Sequence, residues 1–145
     1  MPDLELTRSI PAPPTEVWDA IARPEILLTW WGHDGFTLHD TADLDLGREG
    51  PWRFGMTSTE GRRMTASGHV THVRPGRSVG FTWAWHDPEG RRGPESHVTI
   101  ALAETADGHT ELTLRQTGLA DADSVARQGG GWGSTLGRLQ RLFTA

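Results

Sequence analysis

The residue pairings closest to usable chemistry are two histidines and a run of glycines. His69-Val70-Thr71-His72 spaces two imidazoles as a chelating helix would, because residues three apart share a helix face. Val70, Thr71 and Val73 favour a strand instead, and on a strand that spacing sends side chains to opposite faces. The spacing therefore predicts no shared metal ion. His33, His39, His86, His97 and His109 are scattered and mostly adjoin turns, where an exposed imidazole needs no special role. His97, opposite Val98, is open to either the inner or the outer face. Gly129-Gly130-Gly131 and Gly133-Ser134-Thr135 have the composition of a phosphate cradle but neither the lysine nor the strand-to-helix setting it needs. No nucleophile elbow surrounds Ser134. Asp43 and Asp45 alternate with Leu44 and Leu46 as a solvated face does. Asp87, Glu89 and Glu95 lie in or near a loop beside Arg91 and Arg92, a setting for weak surface pairs. No acid–base pair emerges, so the sequence predicts no catalytic residue, metal or cofactor.

The aromatic residues are more informative. Seven Trp and four Phe accompany no Tyr, which removes phenolic chemistry and leaves large apolar surfaces, each indole with one N–H donor. Trp31, Trp52, Phe54, Met56, Phe81, Trp83, Trp132 and Leu136 form a set whose strand and helix parities can send them to one interior volume. Taken singly, each would fill a core; taken together, they suit an aromatic-walled pocket. Gln116, in phase with Leu112 and Leu114, would place an amide on an apolar strand face. Its partner there is either the backbone or a ligand. Gln116 and His69 are the candidate polar contacts in such a pocket.

Composition limits the alternatives. The 145 residues suffice for one domain with a real core, expected over residues 1–145. With no Cys, disulfides and thiolate chemistry are excluded. All fourteen basic residues are Arg, so Schiff-base chemistry and lysine-dependent phosphate loops are excluded too. A GC-rich genome would also produce that bias. The net charge of −5 argues against general affinity for nucleic acid or an anionic membrane. The N-terminus lacks the basic and apolar regions of a secretory signal, and no apolar stretch approaches membrane-spanning length. A cytoplasmic protein is expected.

The elements that must position these residues follow from periodicity. Leu4, Leu6 and Ile10 alternate as a strand. Two short helices follow, one carrying Val17, Trp18 and Ile21 up to Pro24, the next running from Glu25 to Trp31 and ending at Gly32. A strand opens at Phe36-Thr37-Leu38 and is expected to continue through Asp43–Leu46. Further strands carry Trp52, Phe54 and Met56; residues 64–73; Val79, Phe81, Trp83 and Trp85; Val98, Ile100 and Leu102; and Leu112 and Leu114. Turn signals separate them at Glu60-Gly61, Pro75-Gly76, Asp87–Gly90 and Asp107-Gly108. Asp121 suits an N-cap, and Val125, Trp132, Leu136, Leu139 and Phe143 form a helical stripe. Three consecutive glycines, each about 1 kcal/mol worse than Ala in a helix, predict a kink or break before Trp132. That would make Gly129 to Trp132 a candidate ligand gate. The class is α+β.

This order resembles the helix-grip fold of the START-like, or SRPBCC, superfamily. Residues 10–21 (IPAPPTEVWDAI), 28–32 (LTWWG) and 131–139 (GWGSTLGRL) resemble its branch named for the activator of heat-shock-protein-90 ATPase. Thr110–Leu114 and Gly118-Leu119 resemble that family's last strand and its exit. The resemblance implies an antiparallel sheet of about six or seven strands around a long C-terminal helix, with a cavity between them. It departs from the usual pattern in the extra Gly129-Gly130 and in Trp83-Ala84-Trp85. The expected activity is binding of a small apolar or aromatic molecule. The superfamily also implies a cyclase- or hydrolase-like enzyme using the same pocket, and the branch name implies a chaperone partner, though the chain shows no additional N-terminal domain. Homodimerisation through a sheet face is left open.

Overall fold

The computed structural model describes residues 3–144. Seven strands form one open antiparallel sheet in the order β1-β7-β6-β5-β4-β3-β2. They are β1 (Leu4–Ile10), β2 (Thr37–His39), β3 (Gly50–Thr57), β4 (Arg63–Arg74), β5 (Ser78–Trp85), β6 (Ser96–Glu104) and β7 (Thr110–Thr117). Helices α1 (Pro14–Ala22) and α2 (Pro24–Trp30) follow β1, and α3 (Ala122–Leu142) closes the chain. This is the expected α+β helix-grip architecture.

Local chemistry accounts for the helix ends. Pro14 and Pro24 occupy first-turn positions, where a missing N–H leaves no bond unmade. Arg23 joins the two short helices, its N–H donating to Asp19 O at 3.0 Å. Trp31 ends α2, and Gly32, at φ +95°, turns the chain sharply away. At the start of α3 the Asp121 carboxylate accepts from the Ser124 N–H at 2.8 Å. This is the expected N-cap, and helix-end hydrogen bonding holds its carboxyl below the usual range.

Strand parity sends one face of the sheet inward. Trp52, Phe54 and Met56 on β3, Val79, Phe81 and Trp83 on β5, and Val98, Ile100 and Leu102 on β6 are all buried. Leu112, Leu114 and Gln116 continue this face on β7. Register aligns Trp83 with Ser96, and Phe81 with Val98, which in turn faces Gln116.

Two expectations fail here. Helix α3 runs unbroken through Gly129, Gly130 and Gly131. Close approach, not a kink, accounts for two of these glycines: a Cβ on Gly131 would lie 2.5 Å from His33 Nε2, and one on Gly129 3.3 Å from Leu4 Cδ1. Residues 43–46 form no strand. Leu44 and Leu46 are buried as their alternation suggests, but Asp40 takes φ 54° and β2 stops at His39. The Asp45 carboxylate accepts from the Gly47 N–H at 2.9 Å, and Gly47 lies so close to α1 that a Cβ would meet Ala22 O at 2.5 Å. The segment packs on the end of α1 and finds no strand to pair with.

Candidate functional site

The interior aromatic set assembles around Trp83. Its ring centroid lies 5.0 Å from Trp52, 5.1 Å from Trp132, 5.3 Å from Trp85 and 5.7 Å from Phe54. Trp31 meets Trp132 edge-on at 5.5 Å and Phe54 edge-on at 5.7 Å. Such offset and edge contacts contribute about 0.5–1.5 kcal/mol per pair beyond the area they bury. The rings therefore fill the core between sheet and helix, and a cavity opens beyond them.

That cavity has a volume of about 960 Å³, near the upper end of the usual range for small-molecule sites. Trp31, Phe54, Met56, Trp83 and Trp132 border it, so five of the predicted residues share its apolar wall. The other five do not. Phe81 and Leu136 are buried in the packed core, and Trp52 reaches only a shallow outer depression beside Gly68 and His69. His69 itself is exposed on the outer sheet face, since β4 parity turns Gly68 and Val70 inward. Gln116 is fully buried and already bonded on both sides.

The Gln116 bonds form a short relay. Trp132 Nε1 donates to Gln116 Oε1 at 2.9 Å, and Gln116 Nε2 donates to Ser96 Oγ at 2.8 Å. Ser96 Oγ lies 3.5 Å from Trp83 O. The amide that either backbone or ligand could have satisfied is held by side chains, and it fixes the Trp132 ring against the sheet.

Other indoles differ sharply in their N–H partners. Trp30 donates to Ala20 O at 2.9 Å and Trp52 to Thr82 O at 3.0 Å. Gly68 permits the second bond, since a Cβ there would collide with both Thr82 O and the indole nitrogen. Trp31 Nε1 and Trp83 Nε1 are buried with no hydrogen-bond partner among the described residues. A buried unsatisfied donor costs about 1–3 kcal/mol, so two in one cluster call for a reason.

Trp31 is held in place from α3. Thr135 Oγ lies 3.1 Å from Gly32 O, Arg138 donates to His33 O at 3.2 Å, and Asp34 N–H donates to Ser134 Oγ at 2.9 Å. Arg141 grips both oxygens of Asp34 at 2.9 and 3.0 Å. Ser134 is thus a fastening for the turn after α2.

His33, read from sequence as one of the scattered turn histidines, borders the cavity against Gly131. Burial pushes its imidazole below the ordinary value, which favours the neutral form. His86 also borders the cavity and is pushed down, first by burial and then by the Arg53 and Arg92 charges; its Nε2 lies 2.7 Å from Ser67 Oγ. His97 faces outward, 3.0 Å from Thr71 Oγ. His69 and His72 do not take opposite faces as expected. A register shift between Val70 and His72 returns His72 to the outer face, over Gly80. No group of three or more potential metal ligands occurs among the described residues. The loop pairs are as expected, with Arg91 3.0 Å from Asp87 and Arg92 3.1 Å from Glu95.

The cavity between an open antiparallel sheet and a long C-terminal helix is also the arrangement that the sequence resemblance implies. The family model described as activator of Hsp90 ATPase homolog 1-like protein matches residues 11–144. The chain belongs to this family. An AHSA1 protein from Silicibacter pomeroyi is 39% identical and superposes with a TM-score of 0.91, covering 97% of this chain and 96% of that one. A protein from Chromobacterium violaceum, 25% identical, superposes at 0.84 with the same coverage. DynU16, from the dynemicin biosynthetic locus, is 28% identical at a TM-score of 0.69; the match covers 96% of this chain and 46% of DynU16. No curated protein matches the chain at a significant level. No helix among the described residues is long and apolar enough to cross a membrane.

Proposed function

We propose that this chain binds a small apolar or aromatic molecule in the cavity between sheet and helix. The observation that carries this reading is the pair of orphaned indole donors, Trp31 Nε1 and Trp83 Nε1, on side chains that border that cavity. Every other buried indole in the described chain has an acceptor, so the cluster can satisfy such groups and leaves these two unmet beside the cavity. A ligand with an apolar body would cover the apolar wall, and an acceptor oxygen or π-face on it would meet these buried donors once the rings shift to admit it. The cavity size and the apolar wall formed by Trp31, Phe54, Met56, Trp83 and Trp132 support the same class.

Titration with a panel of naphthalene-sized neutral aromatics and medium-chain alcohols tests this, read by tryptophan fluorescence and by equilibrium dialysis. Saturable binding at one site, accompanied by quenching, is the expected result. Flat dialysis isotherms across the whole panel would refute it.

A further inference from the structure

We infer that the bound molecule carries a neutral hydroxyl, as a phenol or an alcohol does, and that His33 is the side chain that recognises it. This deepens the binding reading above and rests on it.

The turn after α2 fixes where this ring lies. Gly32, His33 and Asp34 are each tied to α3 through the backbone. Thr135 Oγ lies 3.1 Å from Gly32 O, Arg138 donates to His33 O at 3.2 Å, and Asp34 N–H donates to Ser134 Oγ at 2.9 Å. The imidazole itself is packed, not bonded. It stands edge-on to Phe36 at 5.0 Å, and its Nε2 edge faces Gly131, where a Cβ would intrude to 2.5 Å. His33 and Gly131 both border the cavity, and Gly131 directly precedes Trp132 of its apolar wall. The ring is half-buried. Three backbone ties and one absent Cβ hold it against the helix, so its position is set before any ligand arrives.

Unspent hydrogen-bonding capacity distinguishes this side chain. Three other neutral polar groups that border the cavity are committed inside the fold. Ser96 Oγ accepts from Gln116 at 2.8 Å, the Thr135 hydroxyl also lies 3.0 Å from Gly131 O, and His86 Nε2 lies 2.7 Å from Ser67 Oγ. Neither ring nitrogen of His33 has a hydrogen-bond partner among the described residues, and burial is what keeps the ring neutral. A neutral imidazole offers one acceptor and one donor nitrogen. A hydroxyl answers either one, giving its proton to the first or accepting from the second. A carboxylate would find no charge on this ring to pair with, and a hydrocarbon would cover both nitrogens without a bond.

Equilibrium dialysis with 2-naphthol and 2-methylnaphthalene tests this, because the probes exchange a hydroxyl for a methyl group of similar size. His33→Phe should weaken naphthol binding roughly five- to tenfold, the worth of one hydrogen bond, and leave methylnaphthalene within about twofold. His97→Gln, which alters an outward-facing imidazole, should change neither. In the unaltered protein, the His33 ring-nitrogen resonances should move on adding naphthol and stay in place with methylnaphthalene. An unchanged ratio between the two probes in His33→Phe, or ring resonances that ignore bound naphthol, would overturn the hydroxyl assignment alone. Binding of neither probe by the unaltered protein would overturn it together with the cavity reading.

Discussion

Trp132 and Trp31 touch at 5.5 Å, yet their polar atoms are treated in opposite ways. Trp132 is tied through Gln116 to Ser96, so helix, β7 and β6 are joined by one hydrogen-bonded path. Trp31 and its neighbour Trp83 contribute equally large buried rings with no acceptor for either N–H. Trp132 is therefore a structural tryptophan whose polarity is spent inside the fold. Trp31 and Trp83 carry unspent polarity beside the cavity. On the proposed reading, hydrogen-bond satisfaction rather than burial separates core from site in this aromatic cluster.

The harshest way to break this comparison is Trp132→Ala. It removes a buried ring and its bond to Gln116, and should lower unfolding free energy by about 3–5 kcal/mol in urea titrations. Next is Gln116→Leu, which leaves the Trp132 donor and Ser96 without their amide and should cost about 1–3 kcal/mol. Paired phenylalanine substitutions sharpen the contrast. Trp132→Phe, Trp31→Phe and Trp83→Phe all create a small void, but only the first orphans a carbonyl oxygen. Trp132→Phe should therefore be about 1–2 kcal/mol more destabilising than either of the others, while Trp31→Phe and Trp83→Phe recover part of an existing penalty. Equal losses in all three would mean that the orphaned N–H groups carry no cost.

The smallest expected effect is a pH dependence on the cavity side. His33 and His86 have folded-state values below 6.5, so the unfolded chain takes up protons first as pH falls below about 6.5. Stability should drop from that point toward the lower folded-state values, giving a lower urea midpoint at pH 5.5 than at pH 7.5. Asp40, Asp107 and Asp121, held below 3.8, act only in a more acidic window and do not obscure the comparison.

Much of the fold was legible because strand alternation is short-range. Trp52-x-Phe54-x-Met56 and Phe81-x-Trp83-x-Trp85 declare an inward face whatever surrounds them. The uninterrupted α3 was not legible, because the local cost of Gly129–Gly131 is outweighed by tertiary contacts that need small residues, seen only once His33 is in place. Residues 43–46 misled for a related reason: Leu44 and Leu46 bury alternately against other elements, and alternation alone does not supply a pairing partner. At the site, parity identified Trp31, Phe54, Met56, Trp83 and Trp132 as inward, but His33 at the cavity wall was missed. His33 reaches the cavity only through the turn after α2 and the docking of α3 at Gly131, and no spacing in the sequence reports that. Gln116 was singled out correctly as a polar residue on an apolar face, but its partners belong to β6 and α3 and could not be read from its own strand.

The most direct test is an indole N–H correlation spectrum of the nitrogen-15-labelled protein, recorded during titration with the neutral aromatic 2-naphthol. The seven tryptophans give seven assignable resonances. The Trp31 and Trp83 signals should shift most and saturate together, with those of Trp30 and Trp52 nearly stationary. Shifts confined to Trp18 or Trp52, or binding that leaves Trp31 and Trp83 unmoved, would contradict the assignment of the cavity as the binding site.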